Sequence, residues 1–148
     1  MPKSPKIFLD TSVIIAAVMS PTGGARLLFH LAQTGALGLV AGKGVLQETE
    51  QVLFRKAPQL LPLLAQLLDE IHLEIGGEPA GSENQQAASL IDYLPDAHVL
   101  AQAIHAEPDW FVSHDKAHFL GNPVLEKLPF KIGSPGDVLA WMRDYLES

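Results

Sequence analysis

Asp10 closes the short apolar run Ile7-Phe8-Leu9, and Asp115 follows a second run, Trp110-Phe111-Val112-Ser113, near the other end of the chain. Ligands of an open parallel sheet lie beyond the carboxyl ends of its strands, at the point where strand order reverses, so carboxylates just past two buried strands share a crevice there. Glu48 and Asp96 fall in the early turns of two helical stretches, whose N-termini approach the same edge. Four carboxylates from four distant segments then converge. Ionised carboxylates a few ångströms apart repel one another unless cations sit among them. Mg²⁺ or Mn²⁺, as one ion or two, suits such oxygen ligands; a pair about 4 Å apart stabilises the attacking and leaving oxygens of an in-line displacement. The expected chemistry is metal-assisted phosphodiester hydrolysis.

Each residue also has a plainer role. Asp10 is equally suited to capping the helix that follows it. Glu48 has Glu50 as a rival and Asp96 has Asp92, while Asp109 precedes its strand and belongs to a turn at the sheet's opposite end. His114 and His118, four residues apart, would share a helix face and offer zinc two imidazoles beside Asp115, but lack a further ligand nearby. Gly38 to Gly44 is one residue too short for a phosphate-binding loop and has Gly44 where Ser or Thr is required. Arg26, Lys43, Arg55, Lys56 and Lys116 are the cations nearest the acidic segments and are candidate phosphate contacts, although Arg55 and Lys56 also complement a helix dipole.

Strands that could carry these residues are 6–9, 37–41, 110–113 and 130–132, with a weaker one at 73–75. Helical stretches separate them. Val13, Ile14 and Ala17 mark the first; Leu27, Leu28, Leu31 and Ala32 the second; Val45, Leu46, Thr49, Val52 and Leu53 the third. Leucines 60, 61, 64, 67 and 68 with Ile71 form a strongly apolar fourth, and two more helices follow a Gly-rich surface loop at 76–82. Asp96 lies in the first turn of the second of these, ahead of Val99, Leu100, Ala103 and Ile104; Ser134-Pro135 opens a last helix with Val138, Leu139, Met142 and Leu146 on one face. A helical stretch is expected after Asp115 as well. Alternating strands and helices specify a three-layer α/β/α fold with a mostly parallel sheet.

The 148 residues form one domain, long enough to bury about 70% of the unfolded surface around a single core. No cysteine is present, so metal ligands must be oxygen or imidazole, and a reducing cytoplasm is the expected setting. No run of about 18 apolar residues occurs, which gives no membrane span. The net charge of −7 argues against broad coating of nucleic acid, yet two bound divalent ions would bring it to about −3. The apolar surplus on leucines 60–68 and the last helix points to a homodimer.

Four segments, in order, resemble the motifs of the PIN-domain nucleases, in particular the VapC-like toxins of prokaryotic toxin–antitoxin pairs. They are Ile7-Phe8-Leu9-Asp10-Thr11-Ser12-Val13; Glu48 with Val52-Leu53; Asp96-Ala97-His98-Val99-Leu100-Ala101-Gln102-Ala103; and Pro108-Asp109-Trp110-Phe111-Val112-Ser113-His114-Asp115. The resemblance spans nearly the whole chain. It implies a PIN-like fold in which Asp10, Glu48, Asp96 and Asp115 bind Mg²⁺ or Mn²⁺ and carry catalysis, Ser12 orients Asp10, and Ser113 supports Asp115. It implies an endoribonuclease leaving a 5′-phosphate and a 3′-hydroxyl, with a small antitoxin covering the cleft. The sequence departs from the family at His114, where glycine is usual, and at Ala117, where a further acidic residue often stands. The second departure weakens the second metal position, and the two together keep open a PIN-fold binding or assembly module without turnover.

Overall fold

The computed structural model describes residues 4–147. Its five strands are β1 (Lys6–Leu9), β2 (Gly38–Gly42), β3 (Glu74–Gly76), β4 (Trp110–Val112) and β5 (Lys131–Gly133). They form one sheet in the order β3-β2-β1-β4-β5, parallel throughout. The weak strand expected at 73–75 is the edge strand β3, displaced by one residue. From β1 the chain lays β2 and then β3 to one side, and crosses back to place β4 on the other. The reversal of strand order therefore lies between β1 and β4.

Among the described residues seven α-helices cover the sheet: α1 (Thr11–Met19), α2 (Gly24–Gln33), α3 (Lys43–Lys56), α4 (Leu61–Glu70), α5 (Gly81–Leu90), α6 (Leu94–Ala106) and α7 (Pro135–Glu147). Right-handed crossovers put α1 to α4 on one face and α5 and α6 on the other. In accord with this, α1 meets α2 and α3, α2 meets α7, and α6 lies on β2 and β3 with α5 beside it. The result is the three-layer α/β/α arrangement. None of the described helices is by itself long and apolar enough to cross a membrane.

Strands buried on both faces cannot alternate polar with apolar residues, which is why β1 reads as a continuous apolar run. Ile7, Phe8 and Leu9 are fully buried, and the Phe8 ring stacks on Phe111 of β4 at 5.6 Å between centroids. On α2 the buried residues are Ala25, Leu28, Phe29 and Ala32; Leu27 is turned outward, one position off the expected stripe. The side chain of Leu146 lies outside the described residues.

The helical stretch expected directly after Asp115 is absent. Residues 116–121 form turns, and a short 3₁₀ segment, Pro123–Lys127, leads to β5. Phe119, fully buried against Phe111 at 4.8 Å, pins this segment to the sheet. A second constraint explains the glycines that superficially suggest a phosphate loop. A Cβ on Gly42 would overlap the Gln102 side-chain amide of α6, and one on Gly44 would lie 2.9 Å from Gln102 Nε2. Glycine there lets α6, which carries Asp96, sit against the start of α3, which carries Glu48.

Candidate active site

Asp10 is the first residue past β1, and its backbone N–H extends the β1–β4 pairing by donating to Val112 O at 3.0 Å. Its two oxygens have separate tasks. Oδ1 accepts from Thr11 N at 2.9 Å, capping α1, while Oδ2 accepts from Ser113 Oγ at 2.7 Å and Ser12 Oγ at 3.3 Å. The capping and site readings of Asp10 are thus compatible. Burial pushes its pKa up, against the hydrogen bonds from Ser113, Thr11 and Ser12, and the nearby Glu48 adds to the rise.

Ser113 does more than the expected support of Asp115. Fully buried at the end of β4, it donates to Asp10 and accepts from the Asp115 backbone N–H at 2.9 Å. Ser12 Oγ likewise accepts from His114 N at 3.1 Å. These hydroxyls tie the loop after β4 to the end of β1 without adding charge.

Asp115 Oδ1 accepts from the backbone N–H groups of Ala117 and His118 at 2.9 and 3.1 Å, a local turn that fixes the carboxylate. Its Oδ2 lies 2.9 Å from His118 Nδ1, and the same nitrogen lies 3.1 Å from Asp96 Oδ2. Asp96 sits in the first turn of α6. One imidazole nitrogen carries at most one proton, and the better geometry gives it to Asp115, leaving the buried Asp96 Oδ2 without a hydrogen-bond partner. Burial raises the Asp96 pKa; His118 opposes the rise, while Asp115, Asp10 and Glu48 add to it. Although burial pushes Asp115 upward, the His118 ring and the two backbone N–H groups hold it below its ordinary value. The hydrogen bond to Asp115 raises His118, against partial desolvation, with Asp96 and Asp115 adding their attraction.

Glu48, on the second turn of α3, accepts from Thr11 Oγ1 at 3.2 Å. Asp10, Glu48, Asp96 and Asp115 all line one crevice of about 380 Å³, together with Thr11, Ser12, Lys56 and Tyr93. The rival Glu50 faces another groove, between α3 and α4, and Asp92 does not line the crevice. Asp109 accepts from Lys6 N at 2.7 Å, at the far end of β1. Its turn role stands.

The cations are distributed differently. Arg26 donates to Ala17 O and Val18 O at the carboxyl end of α1, and Arg55 to Gln51 O along its own helix. Lys43 opens α3 and Lys116 follows Asp115, and neither lines the crevice; Lys56 does. Thr11 has a role the sequence did not single out, and His118, read there only as a partner of His114 beside Asp115, bridges to Asp96 as well. Asp96, Asp115 and His118 each offer a ligand atom within 4.8 Å of the others, so His118 joins Asp115 through a turn while His114 stays outside the group. An unpartnered buried carboxylate oxygen inside a set of oxygen donors is what a divalent cation would satisfy.

The PIN domain profile matches residues 6–117, most of the chain and all four carboxylates. The chain belongs to the PIN domain family. No curated protein matches it in sequence. Among solved structures, this PIN domain is similar to VapBC2 from Rickettsia felis, solved bound to a DNA fragment from their promoter (TM-score 0.61, 16% identity, 87% of this chain and 97% of that one). It is also similar to Mycobacterium tuberculosis VapC20, a Sarcin-Ricin loop cleaving toxin (0.55, 17%, 75% and 91%). A third is PAE2754 from Pyrobaculum aerophilum (0.62, 14%, 92% and 94%). At these identities the likeness is one of fold.

Proposed function

We propose that this PIN domain is a Mg²⁺- or Mn²⁺-dependent endoribonuclease, and the toxin of a toxin–antitoxin pair. The observation that carries the reading is the convergence of Asp10, Glu48, Asp96 and Asp115 in one crevice at the strand-order reversal, with Asp96 Oδ2 buried and unpartnered. Asp10, Asp96 and Asp115 would hold the metal, which when bound supplies Lewis-acid stabilisation of charge on the phosphate.

The chain's own groups divide the remaining work. Ser12 and Ser113 fix Asp10, and the 115–118 turn fixes Asp115, so these ligands require little reorganisation. Glu48 is exposed and held by a single long hydrogen bond, which leaves its other oxygen available to accept a proton from an attacking water. Lys56 is placed to contact a substrate phosphate. In-line attack of that water would leave a 5′-phosphate and a 3′-hydroxyl. The toxin role rests on the likeness to VapBC2 and VapC20, and with it a small antitoxin partner. A homodimer could use the α3/α4 groove, about 710 Å³, where Phe54, Leu61 and Leu68 present apolar surface.

Purified protein assayed on structured RNAs with Mg²⁺, Mn²⁺ or EDTA tests the mechanism. Cleavage that persists in EDTA, or full activity in Asp96→Asn, overturns it. A second reading, a binding module without turnover, draws on the His118 ring between Asp96 and Asp115, where the protein's own imidazole, when protonated, takes the place of a cation. Calorimetry separates the two, since absence of binding at millimolar Mn²⁺ favours the module.

A further inference from the structure

Among the described residues Tyr93 is the one tyrosine, phenylalanine or tryptophan that lines the acidic crevice, and it is 57% exposed. Phe8, Phe29, Phe111, Phe119, Trp110 and Phe130 are all buried in the core. Core packing does not account for an aromatic ring at this position, and Phe54, which is also exposed, lies in the α3/α4 groove and not beside the acids. The backbone that presents it is fixed: Tyr93 immediately precedes α6, and its carbonyl accepts the Ala97 N–H at 3.0 Å. Its ring lies nearly parallel to the His118 imidazole, 21° between planes and 5.8 Å between centroids. His118 in turn touches Asp115 and Asp96, so the phenol ring stands at a set distance from the candidate metal ligands.

We propose that Tyr93 is the platform on which an unpaired nucleobase beside the scissile phosphate stacks, and so a positioning residue that selects single-stranded or looped RNA. The proposal rests on the nuclease reading. Stacking tolerates any base, because every base has a π face, but it requires a base already out of a duplex. The charge balance favours such a contact. With a net charge of −7 and Lys56 the sole lysine or arginine among the described residues that lines the crevice, side-chain neutralisation of phosphate supplies little affinity, and a base contact adds to it. Tyrosine suits the task, since a ring with two side-chain torsions loses little entropy when a base settles on it.

The test uses the full chain with Mn²⁺, mixed by stopped flow with short single-stranded RNAs carrying 2-aminopurine at successive positions. Wild type quenches the fluorescence at one position or two adjacent ones before any cleavage. Tyr93→Phe retains the quench. Tyr93→Ala, with an unchanged circular dichroism spectrum, loses it and raises KM about tenfold, equivalent to about 1.4 kcal/mol, with kcat within about twofold. Absence of quenching at every position in wild type overturns the proposal, as does Tyr93→Ala with wild-type quenching and KM; the second outcome would assign Tyr93 to a protein partner instead. Quenching without cleavage leaves the stacking site standing and refutes the nuclease reading alone.

Discussion

Replacing Asp96 with Asn separates a cation site from a merely structural cluster, because it removes one charge while keeping the side chain's volume. In the metal-free protein, burial raises the Asp96 pKa, His118 opposes the rise, and Asp115, Asp10 and Glu48 reinforce it. A carboxyl whose folded-state pKa exceeds its unfolded value makes the native state bind the extra proton. Stability then falls as pH rises through that window, and the whole cost is present at neutral pH. Since Asp96 is only partly buried, solvent screens most of this, and Asp96→Asn should raise the metal-free Tm by no more than about 2 °C. The metal acts in the opposite sense and more strongly. An ion at about a hundred times its Kd stabilises the native state by about 2.7 kcal/mol, or roughly 5–11 °C in a domain of this size. Wild type should therefore gain several degrees on adding Mn²⁺, whereas Asp96→Asn starts marginally higher in EDTA and gains little. Thermal unfolding across a Mn²⁺ series near pH 7, with calorimetry for Kd, makes the comparison. If the variant shows the wild-type Mn²⁺ shift, or loses several degrees in EDTA, Asp96 is structural and the reasoning is wrong.

Metal-free stability should fall as pH rises from just above the ordinary carboxylate range through and beyond the ordinary imidazole range. Burial raises Asp10 and Asp96, and the hydrogen bond to Asp115 raises His118, so stability contributed by all three is lost as pH rises through their folded-state pKa values. Asp115, despite its burial, is held low by His118 and the turn N–H groups, and loses its contribution only on acidification below the ordinary carboxylate range. Denaturation midpoints in EDTA that stay flat or rise over the neutral range would contradict this, and saturating Mn²⁺ should abolish the decline. Ser113→Ala removes a 2.7 Å hydrogen bond to a carboxylate and the acceptor of Asp115 N; it should cost about 1.5–3 kcal/mol in urea denaturation and weaken Mn²⁺ binding. Unchanged values for both would show that Ser113 merely fills space. Gly42→Ala forces a methyl group into the Gln102 amide and should cost about 1–3 kcal/mol, a loss that Gln102→Ala in the same chain partly restores; additive losses would mean that the two do not meet.

How much of this was legible beforehand depends on range. The strands and helices read well because a parallel sheet buried on both faces leaves short apolar runs, as in Ile7-Phe8-Leu9, and because covering helices repeat every three to four residues. The segment after Asp115 was misread as helix. Its Phe119 and Leu120 follow a turn whose geometry Asp115 sets by accepting backbone N–H groups, a competition with helix that periodicity does not register. Asp10, Glu48, Asp96 and Asp115 were legible by type and position, and the crevice gathers them. His118 was legible as a neighbour of Asp115, but not its reach to Asp96, and Thr11 and Tyr93 had no assigned role, because Thr11 acts on Glu48, His118 on Asp96 and Tyr93 on His118 across distances in sequence that no local pattern marks. The cations divide for the same reason: Lys56 lines the crevice while Arg26 caps the end of its neighbouring helix, and proximity in sequence to a motif does not decide between the two.

The choice of tethers follows from the electrostatics of the crevice. Gathering carboxylates at a strand-order reversal raises the energy of the empty fold, and something must hold them in register before a cation arrives. Lysine or arginine could do so, but a fixed cation would neutralise the cluster and take the space of the ion it is built to hold. Hydroxyls avoid that conflict. Ser113 donates to Asp10 across 103 residues of sequence, Ser12 joins Asp10 to His114 N, and Thr11 reaches Glu48, each orienting an acid while leaving its charge intact. Because the Ser113 tether closes only when β4 has docked beside β1, Asp10 and Asp115 are brought into register only by that pairing. His118 supports the same rule: the basic side chain that bridges Asp96 and Asp115 is a partly exposed imidazole on a turn, which can give up its proton and withdraw where a buried guanidinium could not.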